Sequence, residues 1–391
     1  MLEKVLEGSK RYYMWLGFLV VLIAVCGLVY LYQLFYGLGV TGMSRDVSWG
    51  LYISQFTYLV GVAASAVMLV LPAYFHHYQK FKIMIIFGEF MAISAVIMCC
   101  LFIVVDLGQP HRAMNVMLHP TPNSVMFYDM IVLIGYLTIN AIVGWCTLEA
   151  ERHDTKPAKW VHYLAYLSII WAFSIHTVTA FLYAGVPGRH YWLTAIMAAR
   201  FLASAFCSGP SILLLLILLV RRLTGFNPGK TAIRTLATII TYAMCLNVFF
   251  YILEVFTAFY SGIPGHSDPL VFLFSGLEGI TGWVTGFMWV AVVCTFACLA
   301  ILIPPQTRTG KLMVPALIML VLASWIDKGL GLLIGGFTPN MFESITIYTP
   351  TIREIAVAVG VYGVGALVLS ILWKIALGVK FEVGHTDGDA M

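Results

Sequence analysis

The amino-acid sequence predicts an all-α integral membrane protein of ten transmembrane helices, arranged as two related four-helix bundles and two peripheral helices. Three observations carry that prediction. Of 391 residues, 61% are hydrophobic and only 10% charged, far below the roughly 25% charged residues of soluble domains. Ten apolar runs are each long enough for the ~20 residues that a bilayer-crossing helix needs. A short motif also recurs where two of those runs end.

The first run, 12–36, follows "MLEKVLEGSKRYY"; it lacks a small-residue cleavage site and exceeds a secretory h-region, so it reads as a retained helix. The second, 50–74, and third, 81–105, flank "HHYQKFK" (76–82), which reads as an interfacial loop rather than a metal site. The third contains Glu89 and gives way at Asp106 to "LGQPHRAMNVMLHPTPNS", whose Gly and Pro stop a helix. Runs four and five cover 124–148 and 160–185, and run six covers 191–220 with Arg200 and Pro210 inside it. After "RRLTGFNPGK" come run seven, 232–261, run eight, 270–303, run nine, 312–336, and run ten, 353–378. No connection is long enough for a soluble domain, so residues 1–391 read as a single polytopic unit: helix 12–36, bundle one over 50–185, bundle two over 191–336, and helix 353–378.

Orientation follows the lysines and arginines. One side carries fifteen, among them Lys10, Arg152, Arg221 and Lys380, and the other four, Arg45, Arg112, Arg189 and Arg353. By the positive-inside rule both termini are expected in the cytoplasm, with the chain in the inner membrane. The net charge of +4 thus reports topology, and no basic patch interleaved with aromatics points to nucleic acid.

All eight cysteines fall in apolar runs without a C-x-x-C cluster, so no iron–sulfur cluster is expected in this chain. A membrane b-type haem usually takes two facing histidines. Of ten, only His176 lies well inside a run and His162 starts one, so no haem is expected either.

The ionisable residues inside the runs share one level. Counting about 1.5 Å per residue, Asp106 and Asp129 lie at the outer ends of runs three and four. His176 and Arg200 fall in the outer thirds of five and six. Glu254 nears the outer end of run seven, Glu278 falls in the first turns of run eight, and Asp327 with Lys328 in the outer half of run nine. Such groups cost ~2.5–3.5 kcal/mol each on insertion scales, so their grouping predicts a polar cavity near the outer face. Taken singly, any of them could be an interhelical pair, such as Arg200 with Glu254 or Glu278. Glu89 alone stands on the cytoplasmic side. "TAFLYAGVPG" (179–188) and "TAFYSGIPG" (257–265) match with one gap, and three residues before each Thr stands a titratable group, His176 or Glu254. Two halves of similar build are implied, as in transporters and redox subunits alike.

"SWGLYISQFTYLVGVAASAVM" (48–68), "VVDLGQPHRAMNVMLHPTPNS" (104–124) and "SIHTVTAFLYAGVPG" (174–188), in this order, resemble the NrfD/PsrC superfamily of quinone-interacting membrane subunits. Within it the likeness is to the DsrP type, the ten-helix subunits of DsrMKJOP complexes in sulfate- and sulfur-metabolising prokaryotes. The resemblance implies a subunit acting only within a complex, which oxidises menaquinol or reduces menaquinone near the periplasmic face. It also implies partners: a periplasmic, ferredoxin-like iron–sulfur subunit of the DsrO kind, a multihaem cytochrome c, and a second membrane subunit with a cytoplasmic iron–sulfur subunit. The positions that match the family's quinone region are Trp49, Tyr52, Asp106, Arg112, Ser124, Tyr128, Asp129, His176 and Thr179.

Quinol oxidation releases two electrons and two protons, so each hydroxyl needs a proton acceptor within hydrogen-bond reach. His176 suits one end, since imidazole exchanges protons near neutral pH, and Asp106 or Asp129 suits the other. Tyr52 or Tyr128 would donate a hydrogen bond, Trp49 would form an apolar wall or belong to the interfacial aromatic belt, and Arg112 and Arg200 would orient carboxylates. Glu89, with Glu254, Glu278 or Asp327 beyond it, would begin a proton path, or else it pairs with Lys80, Lys82 or a neighbouring helix. A secondary transporter is the alternative function, and a passive anchor for a redox partner a third; the transporter predicts Gly/Pro-broken helices at matching midplane positions, and Pro210 is the residue that favours it.

Overall fold

The computed structural model describes residues 1–75 and 78–388. The histidines of "HHYQKFK", His76 and His77, lie outside the described residues. Among the described residues ten helices are long and apolar enough to cross a membrane: α1 (Lys10–Tyr36), α2 (Leu51–Ala73), α3 (Lys82–Asp106), α4 (Val125–Arg152), α5 (Lys159–Ala184), α6 (Met197–Thr224), α7 (Lys230–Tyr260), α8 (Val284–Leu302), α9 (Met313–Gly336) and α10 (Ile352–Val383). The chain is a multi-pass integral membrane protein.

Helices α2, α3, α4 and α5 pack in a ring, each against the next and α5 back against α2. Helices α6, α7, α8 and α9 form a second ring in the same manner, and α1 pairs with α10 along the outside of α3. The rings meet along α2, α5 and α6. Small residues allow that approach: a Cβ on Gly209 would stand 3.0 Å from the carbonyl oxygen of Gly61, so no larger side chain fits without moving a backbone.

Lys4 and Glu382, near the two ends of the chain, stand together at one end of the molecule, and the opposite end is the far end. Lys4 pairs with Glu382 at 3.3 Å and Arg152 with the same carboxylate at 3.7 Å. Lys380 reaches Glu151 at 2.8 Å, and the Asn227 amide donates to Asp387 at 2.7 Å.

Two expected spans are redrawn. Run six begins at Met197 rather than residue 191, because residues between Gly185 and Ile196 turn repeatedly at the far end. There the indole of the fully buried Trp192 donates to the Leu332 carbonyl at 2.8 Å. Run eight is two helices: Pro264–Ser275 is separate, and the crossing helix starts only at Val284. The stretch "GLEG" between them needs left-handed backbone at Gly276, Glu278 and Gly279 (φ +85°, +52°, +79°), which glycine accepts readily, and it closes a tight turn between Leu277 and Ile280. Glu278 therefore sits exposed on that turn and not among the buried groups of a span.

Irregular turns mark α2 and α9. In α2 a 3₁₀ turn at Ala64–Ala66 interrupts the helix, and in α9 a seven-residue π-helix, Trp325–Gly331, carries Asp327 and Lys328. These interruptions stand in the first helix of one ring and the last of the other, whereas Pro72 and Pro210 lie inside the first helix of each.

Candidate functional site

Helix α5 builds the first polar centre. His176, Thr179 and Tyr183, three and four residues apart, share one helix face and are fully buried. His176 Nδ1 lies 2.7 Å from the Ala172 carbonyl oxygen. A carbonyl can only accept, so this nitrogen carries the proton and Nε2 is left as the basic lone pair; Nε2 is buried without a partner. Thr179 donates to the buried Asp129 carboxylate of α4 at 2.7 Å. The Tyr183 hydroxyl is hydrogen-bonded to Thr57 of α2, whose own proton goes to the Ile53 carbonyl at 2.7 Å, so Tyr183 is the donor of that pair.

Trp49 is half-buried among other aromatic rings. Its ring stacks on Trp192 at 5.7 Å and meets the edges of Tyr183 and Phe337, forming an aromatic box over the far-end side of the centre. Tyr52 donates to Gln33 of α1 at 2.6 Å, and Gln33 in turn donates to the Val105 carbonyl at 2.8 Å. The next residue, Asp106, has a buried carboxylate oxygen, Oδ1, with no partner and lies within electrostatic reach of Tyr183. Asp106, Tyr52 and Glu354 likewise lie within electrostatic reach of one another.

Other expected members stay outside this group. Tyr128 and Arg112 are exposed, and Arg112 sits on a 3₁₀ turn beyond α3, so neither is brought to the buried carboxylates. Ser124 precedes α4 half-buried, with no side-chain capping bond. Glu89 is buried against α4, where a Cβ on Gly144 would lie 3.2 Å from its Oε2. Its expected pairing with Lys80 or Lys82 does not form: both lysines are exposed and Oε2 has no partner.

The second ring holds a second polar centre. Arg200 of α6 donates to Glu254 of α7 and, in fork fashion, to both oxygens of Asp327 of α9 at 3.1 and 3.0 Å. Its guanidinium also lies 4.9 Å from the centroid of the Tyr251 ring. The partners of Arg200 are thus Glu254 and Asp327, and Glu278 is not among them.

Lys328 lies between the centres. The wide π-turn points Asp327 to Arg200 and the adjacent Lys328 the other way, where its ammonium donates to the Phe201 carbonyl at 3.2 Å and lies 4.5 Å from the centroid of that residue's ring. It is buried, with no carboxylate at ion-pair distance among the described residues. A Cβ on Gly61 would stand 3.0 Å from Nζ, and Lys328 lies within electrostatic reach of His176. Together they form a band of titratable groups that runs from α3 and α4 through α5 to α6, α7 and α9.

The repeated motif brings its two copies together without symmetry. One copy ends α5, the last helix of its ring, and the other ends α7, the second of its ring. Their continuations meet at the far end, where the rings of His190 and His266 lie 6.1 Å apart; His190 lines, with Arg189, Asp268 and Glu343, a cavity of about 590 Å³. Burial holds the Arg189 guanidinium somewhat below its usual range there.

Sequence reasoning missed Gln33, Trp192, Phe337, Tyr348 and Glu354. Glu354 caps α10 through Thr351 and accepts from the Gly42 amide and the Tyr348 hydroxyl, each at 2.7 Å. A lone Gln in an otherwise lipid-facing run and a T-x-x-E pair before an apolar run were the available signals.

Known proteins share this sequence pattern. The profile of the family described as "Polysulphide reductase, NrfD" matches residues 39–338. The chain is 25% identical to a Halobacterium salinarum protein provisionally named as a membrane subunit of dimethyl sulfoxide reductase, over 91% of this chain and 89% of that one. It is 26% identical to the Hdr-like menaquinol oxidoreductase integral membrane subunit of Archaeoglobus fulgidus, over 78% and 74%. It is 24% identical to the menaquinone reductase integral membrane subunit of Nitratidesulfovibrio vulgaris, over 94% and 93%.

Proposed function

We propose, given that this chain belongs to the polysulphide reductase NrfD family, that it is the membrane subunit of a respiratory complex exchanging electrons and protons with menaquinone or menaquinol. Relatives named for menaquinol oxidation and for menaquinone reduction support the substrate class. The observation that carries the reading is the first polar centre: on one face of α5 stand His176, whose Nε2 is an unpartnered base, Thr179, bonded to the buried Asp129, and Tyr183, within electrostatic reach of the half-buried Asp106.

Menaquinol gives up two protons as its electrons leave. His176 Nε2 takes one. Asp106, with its free oxygen, or Asp129, oriented by Thr179, takes the other; Tyr52 and Tyr183 steady the oxygens and the Trp49 box walls the ring from water. Electrons pass to a partner docked over the far end, which we place on the periplasmic side with both termini in the cytoplasm. An iron–sulfur subunit and a cytochrome c, serving sulfur metabolism, are the partners this reading favours. Lys328 stands between the centres, and Arg200 with its carboxylates forms either the continuation of a proton path or a structural ion cluster.

His176→Ala tests the assignment. In the purified complex, turnover with a short-chain menaquinol analogue falls by ~100-fold or more, as removal of a general base does, while subunit stoichiometry is unchanged. Turnover at the wild-type rate removes His176 from the chemistry.

A further inference from the structure

A cleft of about 260 Å³ opens between α7, α8 and α9, away from the first polar centre. Its rim carries Ile252 and Phe296, both more than half exposed, at positions that face lipid in a membrane-crossing helix. Apolar side chains such as Val248, Phe274 and Met288 make its walls. Its inner end differs. There stand the side-chain amide of Asn247, the Tyr251 hydroxyl, buried without a partner, and Asp327, both of whose oxygens accept from Arg200.

We propose that this cleft is a second binding site for an isoprenoid quinone, with the ring at the inner end and the chain trailing between α7 and α8 into the bilayer. The rim admits only molecules dissolved in lipid. A saturated acyl chain would leave the amide and the phenol unmatched, whereas a ring bearing paired oxygens meets both: Asn247 and Tyr251 donate to its oxygens, and Asp327, through a lone pair that Arg200 does not use, accepts from a hydroxyl in the reduced form. The volume is near the lower bound of about 300 Å³ for small-molecule sites, which suits a ring head with its tail outside. On the far side of Arg200, Glu254 lines another cavity, of about 390 Å³, near the far end, so the carboxylates flanking this arginine face two separate spaces. This inference rests on the quinone reading above but on different residues.

The test is photolabelling of the intact complex in lipid nanodiscs with an azido-naphthoquinone, adducts being mapped by mass spectrometry. Adducts are expected on peptides covering 244–255 and 288–296, besides those around 172–183. Ala291→Trp fills the cleft and Val292→Trp its wall from a half-buried position, so one survives if the other fails to assemble. Either lowers cleft labelling by ~10-fold or more and leaves labelling around α5 unchanged. Labelling confined to α5, cleft labelling indifferent to both tryptophans, or a phospholipid alone retained in the cleft by native mass spectrometry overturns the second site and leaves the first intact. Absence of labelling at both places, with no quinol turnover, instead overturns the quinone reading itself.

Discussion

Each buried polar side chain here is accounted for by a partner or by the want of one. Arg200 faces two carboxylates and an aromatic ring, whereas His176, Asp106 and Glu89 each keep an atom that nothing satisfies. Unsatisfied buried atoms are few in native proteins, and they concentrate where a ligand or a proton is exchanged. Breaking the Arg200 cluster tests the structural half of that contrast. Arg200→Ala leaves Glu254 and Asp327 without their cation and should destabilise the protein by ~3–5 kcal/mol, read as a lower midpoint in thermal unfolding of the solubilised complex. Arg200→Lys should recover only part of it, because a point charge cannot serve two carboxylates as a planar fork does.

Among the elements, α9 presents a charged side chain to each half. Its π-helix turns Asp327 into one ring of helices and Lys328 toward the other, and single-turn π segments recur at functional sites. Just beyond it Gly336 meets Trp192 so closely that a Cβ would overlap the indole. Gly336→Ala should therefore displace the tryptophan, break its bond to Leu332 and lower stability by ~1–3 kcal/mol, the usual cost of overpacking, measured by thermal unfolding with Trp fluorescence. Lys328→Met keeps the length of the side chain without its charge; turnover should fall while assembly holds, and unchanged turnover would reduce Lys328 to a packing role.

For the whole molecule, the ion pairs of Lys4, Arg152 and Lys380 hold both termini and the α4–α5 connection at one end. From the lysine and arginine distribution we propose that this end is cytoplasmic. In spheroplasts, a cysteine introduced at Asp154 should resist a membrane-impermeant maleimide until the cells are lysed, and one at His119 or Glu343 should react at once. The opposite pattern would invert the protein and move the electron-accepting partner to the cytoplasmic side.

Local chemistry along the chain was sufficient for ten spans and, outside runs six and eight, their approximate limits. Hydrophobic length and the cost of charge in lipid act on each segment separately, so they are legible one segment at a time. The pairing of Arg200 with Glu254 was among the expected options for the same reason: both lie at one depth on adjacent spans. Other features had no local signal. That Glu278 rides an exposed turn follows from left-handed glycines whose backbone angles composition does not fix. The outward turn of Tyr128 and Arg112, the inward turn of Trp49, and the position of Lys328 between two rings depend on which helix faces which. Those choices are set by close packing across the α2–α6 seam and around α9, contacts between residues far apart in the chain, and only the folded molecule contains them.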